Sequence, residues 1–240
     1  MMSIISNTVD YLDQDTVLEG FFAYDEAIEG RRPVVLICHA WGGRDEFVEN
    51  KAIKLAEMGY LAFALDMYGK GIRGNNPDEN ARLMQPFMED RAMLQQRIKA
   101  ALAAVRLMPW ADDNNIAAIG FCFGGLCVLD LARTGAEVSG VVAFHGLFIP
   151  PDNITQPEIK AKILMLHGHD DPMVPVEQVI AIQQEFTEAG ADWQMHVYGN
   201  TMHAFTNPVA NDPDFGTVYQ PDADKRSWLA MQNFLTEIFQ

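Results

Sequence analysis

Basic residues are scarce in this sequence. Its 240 residues carry 17 Lys and Arg against 33 Asp and Glu, a net charge of −16, which argues against nucleic acid or an anionic membrane as partner and leaves small molecules. Cysteine is scarcer still. Cys38, Cys122 and Cys127 include no CxxC spacing, so neither a disulfide framework nor a zinc knuckle is expected, and a reducing cytoplasm is the expected setting. No apolar run approaches the length of a membrane span. Met1 to Tyr11 shows no basic n-region, no long apolar h-region and no small-residue cleavage site, so no export signal is expected. His39, His145, His169 and His203 fall in loops at strand ends, yet no HExxH or paired ligand spacing joins them; no metal and no other cofactor is expected. Internal repeats, low-complexity tracts and interdomain linkers are also lacking, which predicts one domain over residues 1–240. The oligomeric state is left open.

What is present is an alternation of apolar runs and amphipathic stretches. Ile4 to Tyr24, with the turn-like Asp13-Gln14-Asp15, predicts an antiparallel pair at a sheet edge. Val34 to Cys38 is a continuous β-branched and apolar run, the pattern of a parallel strand covered on both faces. The pattern then predicts a loop His39 to Arg44, a helix Asp45 to Met58 closed by Gly59, and a strand Tyr60 to Leu65. Met67 to Pro86, rich in Gly and Asn, is predicted to be a long loop that could overhang a site; Met88 to Met108 is predicted to be helical. After a turn at Asp112 to Asn115, strands are predicted near Ile116 to Ile119, Val138 to Phe144, Ile163 to His167 and Trp193 to Tyr198. A loop is expected at Pro150 to Pro157, and helices at Phe123 to Ala132, Val176 to Ala189 and Asp222 to Phe239. The expected class is α/β, a mostly parallel central sheet with helices on both faces, whose ligands bind beyond the carboxyl ends of the strands.

The stretch most informative about chemistry is Gly120-Phe121-Cys122-Phe123-Gly124, between a buried strand and a helix. Glycines two residues either side of a nucleophile permit the sharp turn that lifts its side chain to the start of a helix. The helix N-terminus puts partial positive charge near the sulfur, which favours the attacking thiolate. A thiol that attacks an ester needs a base, and the base needs a group to fix its tautomer. His203 lies in a loop between the last strand and the final helix, and Asp171 follows the strand that ends at His167. The order Cys122, Asp171, His203 is that of an α/β-hydrolase. His167 and His196, placed within strands, read as structural, as do Cys38 and Cys127. The oxyanion of a tetrahedral intermediate would be met by the backbone N–H of Phe123 and by that of Trp41, in the Gly-rich loop after the first central strand. His39, His145, Arg82 and Phe205 are candidates for substrate contacts.

With Gly120-Phe121-Cys122-Phe123-Gly124, Asp171-Pro172-Met173-Val174-Pro175 and Met202-His203-Ala204-Phe205, the chain resembles the dienelactone hydrolase family over most of its length. The resemblance implies an α/β-hydrolase fold and hydrolysis of an ester or lactone through a thioester, with Cys122 as nucleophile, His203 as base, Asp171 as its orienting acid and Phe123 and Trp41 as oxyanion donors. Two positions depart from the family pattern. The family's glutamate after the first central strand is matched by Ala40, and its arginine after the catalytic histidine by no basic residue in Ala204-Phe205-Thr206-Asn207. Arg73 or Arg82 could bind an anion instead. Dienelactone itself is therefore not the expected substrate. Other readings are a thioester or peptide-like hydrolase, and a non-catalytic member that binds a small molecule or senses oxidants through Cys122.

Overall fold

The computed structural model describes residues 3–153 and 158–240. The chain forms two compact units that meet in sequence between Ile119 and Gly120. Together its elements make a mixed α/β fold with a large, mostly parallel sheet.

The first unit opens with β1 (Ile4–Asp13) and β2 (Thr16–Asp25), antiparallel and joined through Gln14 and Asp15. After β3 (Arg32–Cys38) and α1 (Glu46–Glu57) the chain enters β4 (Leu61–Ala64), which lies between β2 and β3, antiparallel to the first and parallel to the second. Val34 to Cys38 are entirely buried, as their unbroken apolar run requires. Asp45 caps α1 through Val48 N–H, and Gly59 closes it at φ +95°.

The predicted loop at Met67 to Pro86 is corrected in part: α2 (Pro77–Glu89) starts inside it. Asn76 accepts a hydrogen bond from Glu79 N–H, Glu79 accepts one from Asn75 N–H, and proline occupies the first helical position. The cluster read as loop is a capped helix start. Helix α3 (Arg91–Arg106) follows after Asp90, which caps it through Met93 N–H. The expected turn at Asp112 to Asn115 is likewise strand, since β5 (Ala111–Phe121) runs from Ala111 through the unit boundary.

A buried ion pair pins α3 to the end of β1. Arg97 Nε lies 2.7 Å from Asp13 Oδ2 and its Nη1 2.8 Å from the Met67 carbonyl, while Gln96 donates to the other Asp13 oxygen. Truncating one partner strands the other charge in the interior. Asp13→Ala is expected to lower stability by about 3–5 kcal/mol, measured by urea unfolding.

The second unit contains α4 (Phe123–Arg133), β6 (Gly140–Phe144), β7 (Lys162–Gly168), α5 (Val176–Glu188), β8 (Trp193–Tyr198) and α6 (Pro221–Ile238). β6, β7 and β8 are parallel in that order. Every residue of α4 is buried, so its Arg133 is matched by Asp130 and Glu185. The loop expected at Pro150 to Pro157 reaches residues 154–157, which lie outside the described residues. Between β8 and α6 the chain adds a short hairpin, β9 (Asn211–Asp212) and β10 (Thr217–Val218), that the sequence pattern did not reveal.

Candidate active site

β5 ends at Phe121 and α4 begins at Phe123, leaving Cys122 alone in the turn at φ +56°, ψ −116°. That backbone region is sparsely populated for a non-glycine residue and costs about 1–3 kcal/mol, tolerated where the surroundings fix it. The surroundings here are tight. A Cβ on Gly120 would come 2.0 Å from the Gly124 carbonyl oxygen, and one on Gly125 2.6 Å from Gly146 Cα. Both glycines are therefore required by close backbone approach. The Cys122 carbonyl accepts from Gly125 and Leu126 N–H, which starts α4 on the residue itself. Cys122 is half-buried, whereas Cys38 and Cys127 are buried.

The Cys122 N–H is shared between the Phe144 carbonyl at 3.0 Å and His145 Nδ1 at 3.1 Å. That N–H is therefore already bonded within the protein, and Phe123, the expected oxyanion donor, is the fully buried first residue of α4. Trp41 lies in the first unit, where its carbonyl accepts from Tyr68 Oη at 2.8 Å.

His203 sits after β8 in a loop held by the small hairpin: its N–H donates to the Gly216 carbonyl, and its carbonyl accepts from Val218 N–H. Its Nδ1 is 2.7 Å from Asp171 Oδ2. Asp171 follows β7, and its other oxygen accepts from Met173 N–H at 2.9 Å, so the carboxylate is fixed at both ends. Nδ1 must then carry the proton, leaving Nε2 for whatever lies on the other side of the ring.

Cys122 lies on that side. Burial alone would push the imidazole down, but the Cys122 charge and the Asp171 carboxylate outweigh it and raise His203 to about 10. Cys122 acts on the ring first through its charge. The structure thus brings Cys122, His203 and Asp171 together in the second unit.

The other candidate residues have different surroundings. His39 is buried; its Nε2 accepts from Met67 N–H at 3.1 Å, so the protonated Nδ1 donates to the Ala40 carbonyl at 2.6 Å. Burial lowers its pKa. With both nitrogens engaged, the ring braces the loop that carries Trp41. Arg82 is exposed on α2 and donates to the Asp78 carbonyl one turn back; Arg73 is near Glu49 at 3.5 Å. Phe205 is fully buried, edge-on to both His145 and Tyr198. His145 is buried too, with Nε2 2.8 Å from Thr206 Oγ1.

His167, which ends β7, is buried, and burial lowers its pKa; its Nδ1 has no hydrogen-bond partner. His196 is exposed on β8. Among the described residues, no group of three or more His, Cys, Asp or Glu side chains is arranged to hold a metal ion, and no helix is long and apolar enough to cross a membrane.

Sequence reasoning passed over one part of this geometry, the pair formed by His145 and Thr206. The sequence suggests His145 as a substrate contact and does not single out Thr206. The histidine-glycine step after a buried strand was the available signal, but only the folded loops put Thr206 against it.

The chain has relatives among named proteins and solved structures. A protein of Aquifex aeolicus, provisionally named a carboxymethylenebutenolidase, is 32% identical over 209 residues, covering 84% of this chain and 87% of that protein. A Bradyrhizobium protein named as a probable 2-oxo-3-(5-oxofuran-2-ylidene)propanoate lactonase is 25% identical, covering 92% and 90%. Among solved structures, a dienelactone hydrolase-like promiscuous phosphotriesterase from metagenomic libraries superposes with a TM-score of 0.93 at 37% identity, covering 99% of this chain and 100% of that one. The family model of the dienelactone hydrolases matches residues 18–239, and the chain belongs to the dienelactone hydrolase family.

Proposed function

We propose that this protein hydrolyses carboxylic esters or lactones through an acyl-cysteine intermediate, with Cys122 as nucleophile, His203 as acid and base, and Asp171 as the group that orients His203. The observation that carries the reading is the placement of the His203 ring between Cys122 and Asp171, with the ring's proton affinity raised by both. That pairing supports proton exchange between the Cys122 sulfur and His203.

The chemistry follows from which charge is present at each step. The Cys122 thiolate attacks the carbonyl carbon; the carbonyl's π electrons move to oxygen, and the Phe123 N–H stabilises the developing oxyanion. When the oxyanion collapses, the C–O bond to the leaving group breaks and the alkoxide takes the proton from His203 Nε2. Acylation has now consumed the Cys122 charge, which was the largest influence holding His203 protonated. With burial opposed only by Asp171, the ring is left as a neutral base. It removes a proton from water, the hydroxide attacks the thioester, and the Cys122 thiolate leaves. One change of charge at sulfur thus converts the histidine from acid to base. A reducing cytoplasmic setting suits a free cysteine nucleophile.

The alkaline limb tests this directly. His203 is raised from 6.5 to about 10, so its protonated form persists at neutral pH and is lost as pH rises through about 10. Acylation by a methyl ester, whose alkoxide needs a proton, is expected to fall through that range, whereas acylation by a p-nitrophenyl ester, whose phenolate leaves unaided, persists. Stopped-flow acylation rates for the two substrates make the comparison. Equal limbs for both would remove His203 from the acid role. Neutral phosphate triesters are a second class to assay, given the activity named for the metagenomic neighbour.

A further inference from the structure

We propose that His145 is a positioning residue for this reaction: one neutral imidazole ties the turn that bears Cys122 to the loop that bears His203. The proposal rests on the function proposed above.

The tautomer follows from the two contacts. His145 Nδ1 lies 3.1 Å from the Cys122 nitrogen, an N–H donor, so Nδ1 is unprotonated and accepts. A neutral ring then carries its proton on Nε2, which donates to Thr206 Oγ1 at 2.8 Å. The two nitrogens face opposite directions, so the ring spans from the nucleophile's own backbone to a residue three positions beyond His203. Neither contact can be kept if the ring is replaced by a group with only one polar end.

Three further features agree with a bracing role. His145 is buried and packs edge-on to the His203 ring, with centroids 5.1 Å apart. It also packs edge-on to Phe205, in the same loop as Thr206, at 5.1 Å. Its own φ is +38°, an unfavourable conformation for histidine that the end of β6 imposes, with its N–H on the Leu166 carbonyl of β7. Three segments that are distant in sequence therefore converge on one ring: the turn at 122, the end of β6 and the loop 203–206. Cys122 at φ +56° needs such external support. Moving the turn relative to the loop would misalign sulfur and imidazole, and small misplacements of reacting groups cost large factors in rate.

The test uses Thr206→Val, which removes the Nε2 acceptor while keeping shape, together with Thr206→Ser and His145→Gln. Steady-state ester hydrolysis is measured per folded molecule, with melting temperature recorded alongside. The expected result is a kcat about tenfold lower in Thr206→Val and about 100-fold lower in His145→Gln, KM within about twofold of the parent, and recovery to within about twofold in Thr206→Ser. A purely structural ring predicts another pattern: lower melting temperatures, with kcat per folded molecule unchanged in both Thr206→Val and His145→Gln. That pattern would overturn the proposal while leaving an acyl adduct on Cys122 of the parent protein intact. Absence of that adduct in the parent would instead overturn the proposed function, and this proposal with it.

Discussion

Cys122→Ala is expected to lower ester turnover by about 10⁴- to 10⁶-fold, the range over which removal of a catalytic nucleophile acts in enzymes of this kind. The size follows from what the substitution leaves behind. Asp171, His203 and the Phe123 N–H remain, and together they can polarise a carbonyl and orient a water, but the covalent route is gone. The fold should persist, because alanine is smaller than cysteine and tolerates φ +56° no worse, while the glycines that make the turn are untouched. A second consequence separates this account from simple loss of a side chain. The charge on Cys122 is the largest influence raising His203, so in Cys122→Ala the His203 pKa is expected to fall well below its parental value. NMR titration of the ring protons measures that shift, and the buried Cys38→Ala serves as a control in which neither turnover nor titration moves.

Asp171→Asn is expected to reduce kcat by about 10³- to 10⁴-fold, with little change in KM. The carboxylate accepts from His203 Nδ1 and, through its other oxygen, from Met173 N–H. An amide of the same shape keeps one acceptor, yet it loses the negative charge and offers an N–H that can reverse the tautomer, placing the His203 proton on the wrong nitrogen. The sign of the pH effect follows. Asp171 raises His203, so its neutralisation lowers the folded-state pKa, and the alkaline limb for alkyl esters moves from near 10 toward neutral pH. Rates measured between neutral and strongly alkaline pH check both the magnitude and the direction.

Much of the fold is legible in the sequence because buried parallel strands are written as unbroken apolar runs. Val34 to Cys38 and Ile163 to Leu166 have no polar interruption and no exposed face. Polar stretches were harder to read. Asp112 to Asn115 carries turn residues but lies in β5, and Gly74-Asn75-Asn76-Pro77 has loop composition but supplies the cap and first residue of α2. At the helix start the deciding facts are the bonds from Glu79 N–H to Asn76 and from Asn75 N–H to Glu79, which composition does not display. The hairpin that holds His203 is two pairs of residues long, too short for any periodicity.

The candidate site divides in the same way. Cys122, Asp171 and His203 could be singled out because each lies at the carboxyl end of a strand, in the order one fold uses. Their spacing in the sequence carries the topology, and the topology does the rest. The bracing role of His145 is not recoverable from spacing. It depends on which ring nitrogen faces the Cys122 amide, and on a threonine 61 residues away brought near only when the 203–206 loop closes. His39 teaches the complementary lesson. A histidine just after a central strand suggests ligand contact, but its two nitrogens are used to hold Met67 and Ala40.

The most direct test of the account is intact-protein mass spectrometry of the reduced protein during turnover of p-nitrophenyl acetate, with peptide mapping of any adduct. The account predicts a transient acetyl group on Cys122, formed at the rate of the nitrophenolate burst and absent from Cys122→Ala. Turnover with Cys122 unmodified throughout, or an acetyl group mapped to another residue with kinetic competence, would contradict it.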